Sequence, residues 1–549
     1  MKTIITGMLL LLLLVFNALL VRAEENKIED EIKKYTSDLP FEMPVIKPPL
    51  FPDKNFDVTE FGAKNDGLYK NTEAFNKAIE TCSKAGGGHV IIPSGVWLTG
   101  PVKMQSNVDL HLEKGALVIF SPDHKNYDLI QAPGSSSYTC ASPVYGFNLE
   151  NIAITGEGLL DGNGLTWRPV KKNKLTASQW KELVSSGGAI NEKGDMWWPS
   201  QQALSAEKYL GEKKKSELTK KDYERVKDYL RPNMIYLVNC KNVLIDGITI
   251  QNPPRFHLYF QKSENGIIRN VKVMSEWWAQ NADGLDIISS RNVIIYNCTV
   301  NAGDDAICMK SDRIANTYPS LENIVIADCV VYHGHGGFVV GSNTGGGVKN
   351  VSVRNCSFIG TDTGLRFKST MGKGSAVENI FIENIHMKDI QNEAITFNML
   401  YEDAGAVKYK NQKVDKDKIP SFQKIQMKNI VCIGAKKAFY VNTNELMPVK
   451  DIYLSDAVIT AEKGFDGSYA RNFVFDNVKI IPREGPVFNI VQGKDFLLRN
   501  VFCPDGINIF IRLSGKETEN INLSETDYSK ANVPFEFLDG ADKNAVKSY

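Results

Sequence analysis

Ionisable side chains that could perform acid–base chemistry recur at intervals in the middle of this 549-residue chain. The set contains three carboxylates, an imidazole, a guanidinium and an ammonium: Asp283, Asp304, Asp305, His335, Arg366 and Lys368. The intervals between its four motifs are 22, 30 and 31 residues. If each interval is one coil of a stacked structure with a rise of about 4.8 Å, all six side chains lie in one column.

These groups suit the hydrolysis of an acidic glycoside. Three neighbouring carboxylates repel one another, which raises the pKa of at least one of them and is tolerated mainly at functional sites. A protonated carboxyl can donate to the leaving oxygen, while ionised partners deprotonate a water on the other side of the sugar. Inversion needs roughly 6.5 to 9.5 Å between acid and base, which favours a diagonal pair with water between them. The two cations would bind a carboxylate of the sugar.

Each motif taken alone is also common outside active sites. Aspartate next to glycine is typical of turns, and an Arg-x-Lys pair on a strand commonly faces solvent. Four such motifs at one-coil spacing are much less common by chance. The coincidence therefore favours a functional column over four unrelated surface features.

The element that must position this column is a repeat. A short phrase that begins with Asn and ends with Asn or Asp recurs along the chain, with apolar β-branched residues inside it: 242–246, 292–297, 323–328, 350–355 and 379–384. Successive closing residues lie 21 to 31 positions apart, with one interval of 45. Alternating β-branched and polar residues indicate short strands with one buried face, and such coils bury it only by stacking. This predicts a right-handed parallel β-helix. A leucine-rich repeat would need a Leu-x-x-Leu-x-Leu consensus that is absent.

The repeat indicates one domain with several additions. We expect the β-helix over residues 55–535, an N-terminal arm over 24–54 and a C-terminal tail over 536–549. An amphipathic helix over Asn71 to Lys84 is expected to cap the first coil. An insertion over about 167–232 contains helical stretches near 178–184 and 220–230, and a connection of this length is usually functional or disordered.

The N-terminus and the composition limit the compartment and the partners. Lys2 precedes an apolar run that ends at Val21-Arg22-Ala23, which predicts a signal peptide over 1–23 and a secreted or periplasmic protein. An uncleaved anchor is the alternative. The 64 basic residues balance 64 acidic ones, so no global field attracts nucleic acid. We expect no membrane span after cleavage, and a monomer.

The nine cysteines do not indicate a metal or disulfide framework. No Cys-x-x-Cys pair occurs, and the odd number leaves at least one cysteine unpaired. Four of them follow an Asn or Asp at matching points of the repeat, where a small apolar side chain suits a stacked core: Cys240, Cys298, Cys329 and Cys356. We therefore expect neither a metal ion nor a cofactor.

At the four motifs the sequence resembles glycoside hydrolase family 28, the polygalacturonases and their relatives. The family signatures are Asn-Thr-Asp, Asp-Asp, Gly-His-Gly and Arg-Ile-Lys, and they occur here in that order with Ala282 and Phe367 as departures. The resemblance implies hydrolysis of α-1,4-galacturonosyl linkages of pectin by inversion. It implies Asp304 as general acid, Asp283 and Asp305 as the pair that activates water, His335 as an orienting group, and Arg366, Lys368 and Asn281 as substrate-binding residues.

The resemblance extends best to members that release galacturonic acid from non-reducing chain ends. It includes Pro253–His257, Gly336–Ser342 and the insertion after Trp167. An enzyme that acts on ends must close one end of its groove, and we expect the insertion to do so with Trp197 and Trp198. His257 lies 26 residues before Asp283 and is a further candidate for the column. Of Trp277 and Trp278, one is expected to stack on sugar and the other to be core.

Several alternatives remain open at this stage. An endo-polygalacturonase or a rhamnogalacturonan hydrolase would use the same residues. A pectate lyase would hold Ca²⁺ between the aspartates and use Arg366 or Lys368 as its base. A non-catalytic polysaccharide-binding β-helix would bind without turnover.

Overall fold

The computed structural model describes residues 27–401 and 418–549, and the proposed signal peptide lies outside this range. Three parallel sheets form the sides of a β-helix, and the chain passes through them in turn, once per coil. The predicted parallel β-helix is confirmed. The interval of 45 residues in the repeat contains residues 402–417, which the structure does not describe.

The strands fall into three sets. The first sheet comprises Asn55–Asp57, Gly88–Ile92, Val108–Leu112, Glu150–Gly156, Lys241–Asp246, Glu264–Arg269, Arg291–Tyr296, Leu321–Ala327, Lys494–Arg499, Glu519–Ser524 and Val546–Ser548. The second comprises Asp66–Lys70, Gly95–Thr99, Ala116–Phe120, Leu159–Asp161, Thr249–Gln251, Lys272–Met274, Thr299–Asn301 and Val330–His333. The third comprises Val102–Lys103, Val144–Phe147, Ile235–Val238, Leu258–Gln261, Leu285–Ile288, Ile307–Ser311, Phe338–Thr344, Leu365–Lys368, Glu393–Asn398, Lys437–Asn442, Ile509–Ser514 and Val533–Leu538. Longer strands run through more than one sheet: Val348–Ile359, Ala376–Lys388, Ser421–Ile433, Val449–Ser468 and Arg471–Val491.

The core is a continuous apolar column inside the three sheets. In its C-terminal half, phenylalanines of successive coils stack, with Phe367 and Phe397 ring centroids 4.5 Å apart and Phe397 and Phe439 centroids 5.9 Å apart. All nine cysteines are buried and free. Apolar side chains of one coil thus pack on those of the next, as expected for a solenoid.

Asparagines at the corners of the coils form hydrogen-bonded ladders. Asn323 has a φ of 58°, in the left-handed region that asparagine tolerates better than most residues. Its Nδ2 donates to Oδ1 of Asn292 at 3.1 Å, and its own Oδ1 accepts from Nδ2 of Asn350 at 3.1 Å. The same pattern joins Asn107, Asn151, Asn242, Asn265 and Asn379 to this ladder. The recurring Asn thus turns the chain and ties successive coils together.

Two helices cover exposed apolar surfaces near the N-terminus. The helix Thr72–Lys84 buries Phe75 and Ile79 against the first coil, which confirms the predicted capping helix. A second helix, over residues 27–36, lies across the outer face of the first sheet and covers apolar residues there, including Leu244, Ile267 and Ile294. The strands it crosses are therefore buried on both faces, whereas alternation in the sequence predicted one buried face.

The insertion forms a small α+β unit. It contains the helices Ala177–Ser185, Gln201–Gly211 and Lys220–Arg225, and a three-stranded antiparallel sheet of Val170–Lys171, Ala189–Ile190 and Met196–Trp198. The helix Gln201–Gly211 lies outside the two stretches expected to be helical. Arg168, at the start of the insertion, is fully buried and donates to Glu276 Oε2 at 3.1 Å, so the unit is joined to the coil that carries Asp283.

The C-terminal residues continue the solenoid instead of forming the expected tail. Val533–Leu538 pairs with Ile509–Ser514, and Val546–Ser548 pairs with Glu519–Ser524. This C-terminal segment is short, but it completes a last coil because its apolar side chains pack on the core. Over the described ranges, no helix combines the length and apolarity needed to cross a membrane.

Candidate active site

The predicted column lies along one edge of the third sheet. Asp283, Asp305 and His335 occupy turns just before the strands Leu285–Ile288, Ile307–Ser311 and Phe338–Thr344. Gly284 N donates to Asp305 O at 2.9 Å, and His335 N donates to Asp304 O at 2.9 Å, so the turns stack coil on coil. The structure therefore brings the motifs onto consecutive coils, as their spacing predicted.

Asp305 is the most strongly paired carboxylate. Its Oδ1 accepts from Arg366 Nη1 at 3.0 Å, and its Oδ2 accepts from Lys368 Nζ at 2.7 Å. Burial opposes ionisation, but the two cations hold the pKa of Asp305 below its usual range. Phe367 between them points into the core, as predicted from alternation along the strand. Asp305 is thus an ionised group at neutral pH.

Asp304 forms a separate pair with His335. The distance from His335 Nδ1 to Asp304 Oδ1 is 3.0 Å, and His335 Nε2 lies 3.7 Å from Asp362 Oδ2. Burial raises the pKa of Asp304, yet its bond with His335 brings the net pKa below the usual value. His335 therefore links Asp304 to the half-exposed carboxylate of Asp362, which lies outside the four motifs.

Asp283 shares the partly buried ammonium of Lys310 with Asp286. Lys310 Nζ donates to Asp283 Oδ2 at 2.8 Å and to Asp286 Oδ2 at 2.7 Å. Burial raises the pKa of both carboxyls, and Lys310 opposes that effect. Among the described residues, Oδ1 of neither carboxylate has a hydrogen-bond partner. This arrangement places two carboxylates around one cation, so its net charge is negative when all three groups are ionised.

Sequence reasoning missed Asp286 and Lys310. Asp286 lies between the core residues Leu285 and Ile287, and Lys310 follows the core residue Met309, so in the sequence each has the pattern of a solvated outward residue, although Asp286 is fully buried. The available signal was that Asp286 follows Asp283 by three residues and Lys310 follows Asp305 by five. In a stacked coil these offsets place both side chains beside the column.

The three aspartates of the column lie close together. One carboxylate oxygen from each of Asp283, Asp304 and Asp305 lies within 4.8 Å of the other two. This distance joins only the nearest oxygens, so the diagonal arrangement of acid and base, with water between them, stays a prediction. Such a cluster has the geometry of a cation site, but Lys310, Arg366 and Lys368 already neutralise two of its members.

Asn281 and His257 take supporting positions. Asn281 accepts from Arg231 Nη2 at 2.8 Å, so it joins the insertion to the Asp283 turn. His257 is completely buried, with Nδ1 2.8 Å from Asp283 O and Nε2 3.2 Å from Met274 O. Burial lowers its pKa to about 4. His257 therefore cannot reach a ligand as expected, and it supports the backbone of Asp283 instead.

The tryptophans differ from the expectation drawn from strand alternation. Trp277 is 49% exposed and Trp278 is half-buried, because both lie in a turn and not in a strand. Lys174 of the insertion lies over Trp277, with Nζ 4.7 Å from the ring centroid. Trp197 is buried inside the insertion, where its Nε1 donates to Gly187 O at 2.8 Å, and Trp198 packs near Tyr229. Trp277 is thus an exposed aromatic ring six residues before Asp283, with the Lys174 ammonium over its face.

Family comparison agrees with this geometry. The model for Glycosyl hydrolases family 28 matches residues 169–478, more than half of the chain. The chain belongs to glycosyl hydrolase family 28. A second model, Rhamnogalacturonase A/epimerase, pectate lyase-like, matches residues 55–111 of this family 28 protein.

Relatives of the family 28 protein include named exo-acting enzymes. It is 28% identical over 375 residues to an exo-poly-alpha-D-galacturonosidase from Dickeya chrysanthemi, covering 66% of this chain and 60% of that protein. It is 24% identical to a probable polygalacturonase from Vitis vinifera, covering 61% of each. The matches thus span about three fifths of the length of these two relatives.

Solved structures show the same fold. An exopolygalacturonase from Thermotoga maritima superposes with a TM-score of 0.64 at 30% identity, covering 84% of this chain and 96% of that one. A family 28 exopolygalacturonase from Yersinia enterocolitica superposes with a TM-score of 0.61 at 21% identity, covering 81% and 78%. The second likeness concerns the fold alone.

Proposed function

We propose that this protein is an exported exo-polygalacturonase that removes galacturonic acid from the non-reducing ends of pectic chains by an inverting hydrolysis. The observation that carries the proposal is the cluster of Asp283, Asp304 and Asp305 with carboxylate oxygens within 4.8 Å, held by three cations. Family membership and the named relatives support the substrate class. The 28% identical relative named as an exo-galacturonosidase supports action at chain ends.

Asp304 is the proposed acid. It is the most exposed of the three carboxylates, and among the described residues it pairs directly with His335 and with no Lys or Arg side chain. Its pKa lies below the usual value in the free protein. A bound galacturonate adds a like charge and removes water, and both effects raise the pKa of a nearby carboxyl. The substrate would therefore help to place the proton on Asp304 before the leaving oxygen needs it.

Asp283 and Asp305 are the proposed water-activating pair. Both oxygens of Asp305 are held by cations, which makes it a weak base and a poor nucleophile but a good acceptor of an oriented water. Asp283 keeps Oδ1 free of hydrogen bonds from the described residues, and burial raises its pKa, so it is the better proton acceptor. A retaining mechanism would need one of them to attack the sugar carbon directly, and their ion pairs oppose that.

The insertion supports action at chain ends. It is anchored to the Asp283 coil by Arg168 and Arg231, and Lys174 lies over Trp277 at the same edge. A polymer lying along the third sheet would meet this unit just beyond Asp283. The insertion would then close the groove on that side, so that a chain enters by its end.

Arg366 and Lys368 remain proposed ligands of the substrate carboxylate. Both are committed to Asp305, but the hydrogen bonds of Arg366 with the described residues, to Asp305 and to His335 O at 3.3 Å, use Nη1. Its other donors are available to a second anion, because a guanidinium carries five N–H groups. Tyr401 lies beside both cations, with Lys368 Nζ 4.9 Å from its ring.

The first experiment is a time course on polygalacturonic acid and on defined galacturonate oligomers, with EDTA present. Monomer alone, released from the first minutes, is the expected product. A ladder of oligomers would contradict action at chain ends but leave the hydrolysis intact. Loss of activity in EDTA together with an ultraviolet-absorbing product would favour a calcium-dependent lyase over the hydrolase.

Proton NMR of the first product tests the stereochemistry. An α linkage that is hydrolysed with inversion gives β-galacturonic acid first, followed by mutarotation. Early α product would show retention and would assign Asp283 or Asp305 a nucleophilic role. Binding of the polymer without any product would favour the non-catalytic binding protein.

A further inference from the structure

The cations around the catalytic cluster are not all neutralised by the protein. Lys310, Arg366 and Lys368 each contact an aspartate of the column or Asp286, and Arg168 contacts Glu276. Two further guanidiniums lie on the insertion side of Asp283. Within residues 27–401 and 418–549, neither Arg231 nor Arg255 has a carboxylate within 4.0 Å.

Arg231 is a half-buried guanidinium whose partners are neutral. Its Nη1 donates to Gln280 O at 3.0 Å, and its Nη2 donates to Asn281 Oδ1 at 2.8 Å. Burial and the neighbouring charge of Arg255 lower its pKa to about 9. A cation in such surroundings is destabilised until an anion is bound, because removal from water is compensated only by an opposite charge.

Arg255 lies on the coil just before the one that carries Asp283, and its side chain is exposed. Its Cζ lies 4.5 Å from the ring centroid of Phe256, which fixes the direction of the guanidinium. Phe256 in turn is followed by His257, whose N–H donates to Asp283 O at 2.9 Å. Arg231 is therefore held by its side chain to Gln280 and Asn281, and Arg255 is connected through the His257 backbone to Asp283, so both are attached to the turn that carries Asp283.

The Phe256 ring lies between Arg255 and Lys310, which contacts Asp283. Lys310 Nζ lies 4.8 Å from the Phe256 ring centroid, and the Phe256 ring stacks on Tyr259 with centroids 5.5 Å apart and planes at 6°. Tyr259 pairs in register with Asp286. A sugar bound over this surface would thus lie next to Asp283 and have two unpaired guanidiniums at its edge.

We propose that Arg231 and Arg255 form a second carboxylate-binding site, which accepts the free carboxylate of the galacturonate unit that abuts the insertion. This proposal rests on the proposed function, because the insertion meets a terminal sugar unit only if the enzyme acts at the ends of the pectic chain. Guanidinium groups recognise planar carboxylates with paired hydrogen bonds, which neutral esters cannot reproduce. The site would therefore select chains whose terminal unit carries a free acid over chains whose terminal unit is methyl-esterified.

The test compares trigalacturonate with the same trimer esterified only on its terminal unit at the insertion-proximal end. For the wild type we expect KM for the ester to be at least about tenfold higher, the usual effect of losing a hydrogen bond to a charged group. Arg255→Gln, at an exposed position that should not affect folding, should raise KM for the free acid by about tenfold while kcat changes little, and should abolish the discrimination. Arg231→Lys should raise KM in the same direction.

A matched control and a second readout separate this proposal from the proposed function. Lys272→Gln removes an exposed cation on the second sheet and should leave KM unchanged. Calorimetric binding of both trimers measures the site even in a protein without turnover. Equal affinity of the wild type for acid and ester, or an Arg255→Gln variant that still discriminates, would overturn the site. Tight binding of the acid without hydrolysis would instead overturn the proposed function and leave the site standing.

Discussion

The three aspartates of the cluster have different electrostatic surroundings, although their nearest carboxylate oxygens lie within 4.8 Å of one another. Asp305 is held between Arg366 and Lys368, Asp304 faces His335, and Asp283 shares Lys310 with Asp286. The pKa of Asp305 falls and the pKa of Asp283 rises. Carboxyls whose pKa values are pushed apart can take different roles at one pH.

Replacing Asp304 by Asn removes the proposed acid with little change in shape. We expect kcat to fall by about 10²- to 10⁴-fold, the usual contribution of a general acid, while binding of trigalacturonate is kept. Initial rates and calorimetry check this. Asp389→Asn, at an exposed position whose carboxylate lies 3.7 Å from Lys388 Nζ, should keep wild-type rates. A variant of Asp304 with more than a tenth of the wild-type rate would exclude Asp304 as the acid.

Replacing Lys310 by Met should change the pH profile. Lys310 lowers the pKa of Asp283, so its removal raises that pKa. The base is active only when ionised, and the acidic limb of kcat/KM should therefore move up by about one pH unit or more. Lys310→Arg keeps the charge and should keep the limb. An unshifted limb in a folded Lys310→Met protein would show that Asp283 is not the titrating base.

The elements explain which parts of the site a sequence can reveal. Asp283, Asp305 and His335 lie in turns that recur once per coil, so their spacing along the chain corresponds to their spacing in space. Asp286 and Lys310 lie inside strands, where an outward polar residue carries no such signal. His257 was misjudged because coil spacing fixes the position along the helix axis but not whether the side chain points into the core. Arg231 reaches Asn281 across 50 residues of chain, through an insertion with no repeat to give its register.

The asparagine ladder predicts the effect of substitutions at a corner. Asn323→Ala loses the hydrogen bonds to Asn292 and Asn350 and places a Cβ residue at a positive φ, so we expect about 2 to 3 kcal/mol of destabilisation. Asn323→Gly loses the same hydrogen bonds but accepts the conformation, so it should cost about 1 kcal/mol less. Urea unfolding midpoints distinguish the two. Equal midpoints for Ala and Gly would show that backbone conformation contributes little.

At the scale of the whole molecule, the repeat made the architecture predictable, and the capping helix was predicted from its amphipathic pattern, whereas the N-terminal helix and the last coil were not predicted. Alternation and coil spacing indicate a β-helix, but they do not show that residues 27–36 form a helix over the first sheet or that the last residues complete a coil. These segments are non-repetitive, and their structure depends on apolar faces that only the assembled solenoid presents. Leu244, Ile267 and Ile294 form such a face.

Export should leave that N-terminal helix intact. Cleavage after Ala23 would begin the mature chain at Glu24, just before Ile28 and Ile32, which are buried against the first sheet. We therefore expect N-terminal sequencing of the protein recovered outside the cytoplasm to start at Glu24. A start beyond Ile28 would remove part of this packing and contradict the proposed processing site. Retention of Met1 would favour the anchored alternative.

The direction of the asparagine ladder has a consequence for the order in which the chain acquires its structure. In every pair the amide of the later coil donates to the carbonyl oxygen of the earlier one, as Asn350 donates to Asn323 and Asn379 donates to Asn350. A chain that emerges from its N-terminus thus always finds the acceptor already in place on the last completed coil. The solenoid can therefore form by templated addition, in which each completed coil is the template for the next. The capping helix Thr72–Lys84 fixes the end at which this addition begins.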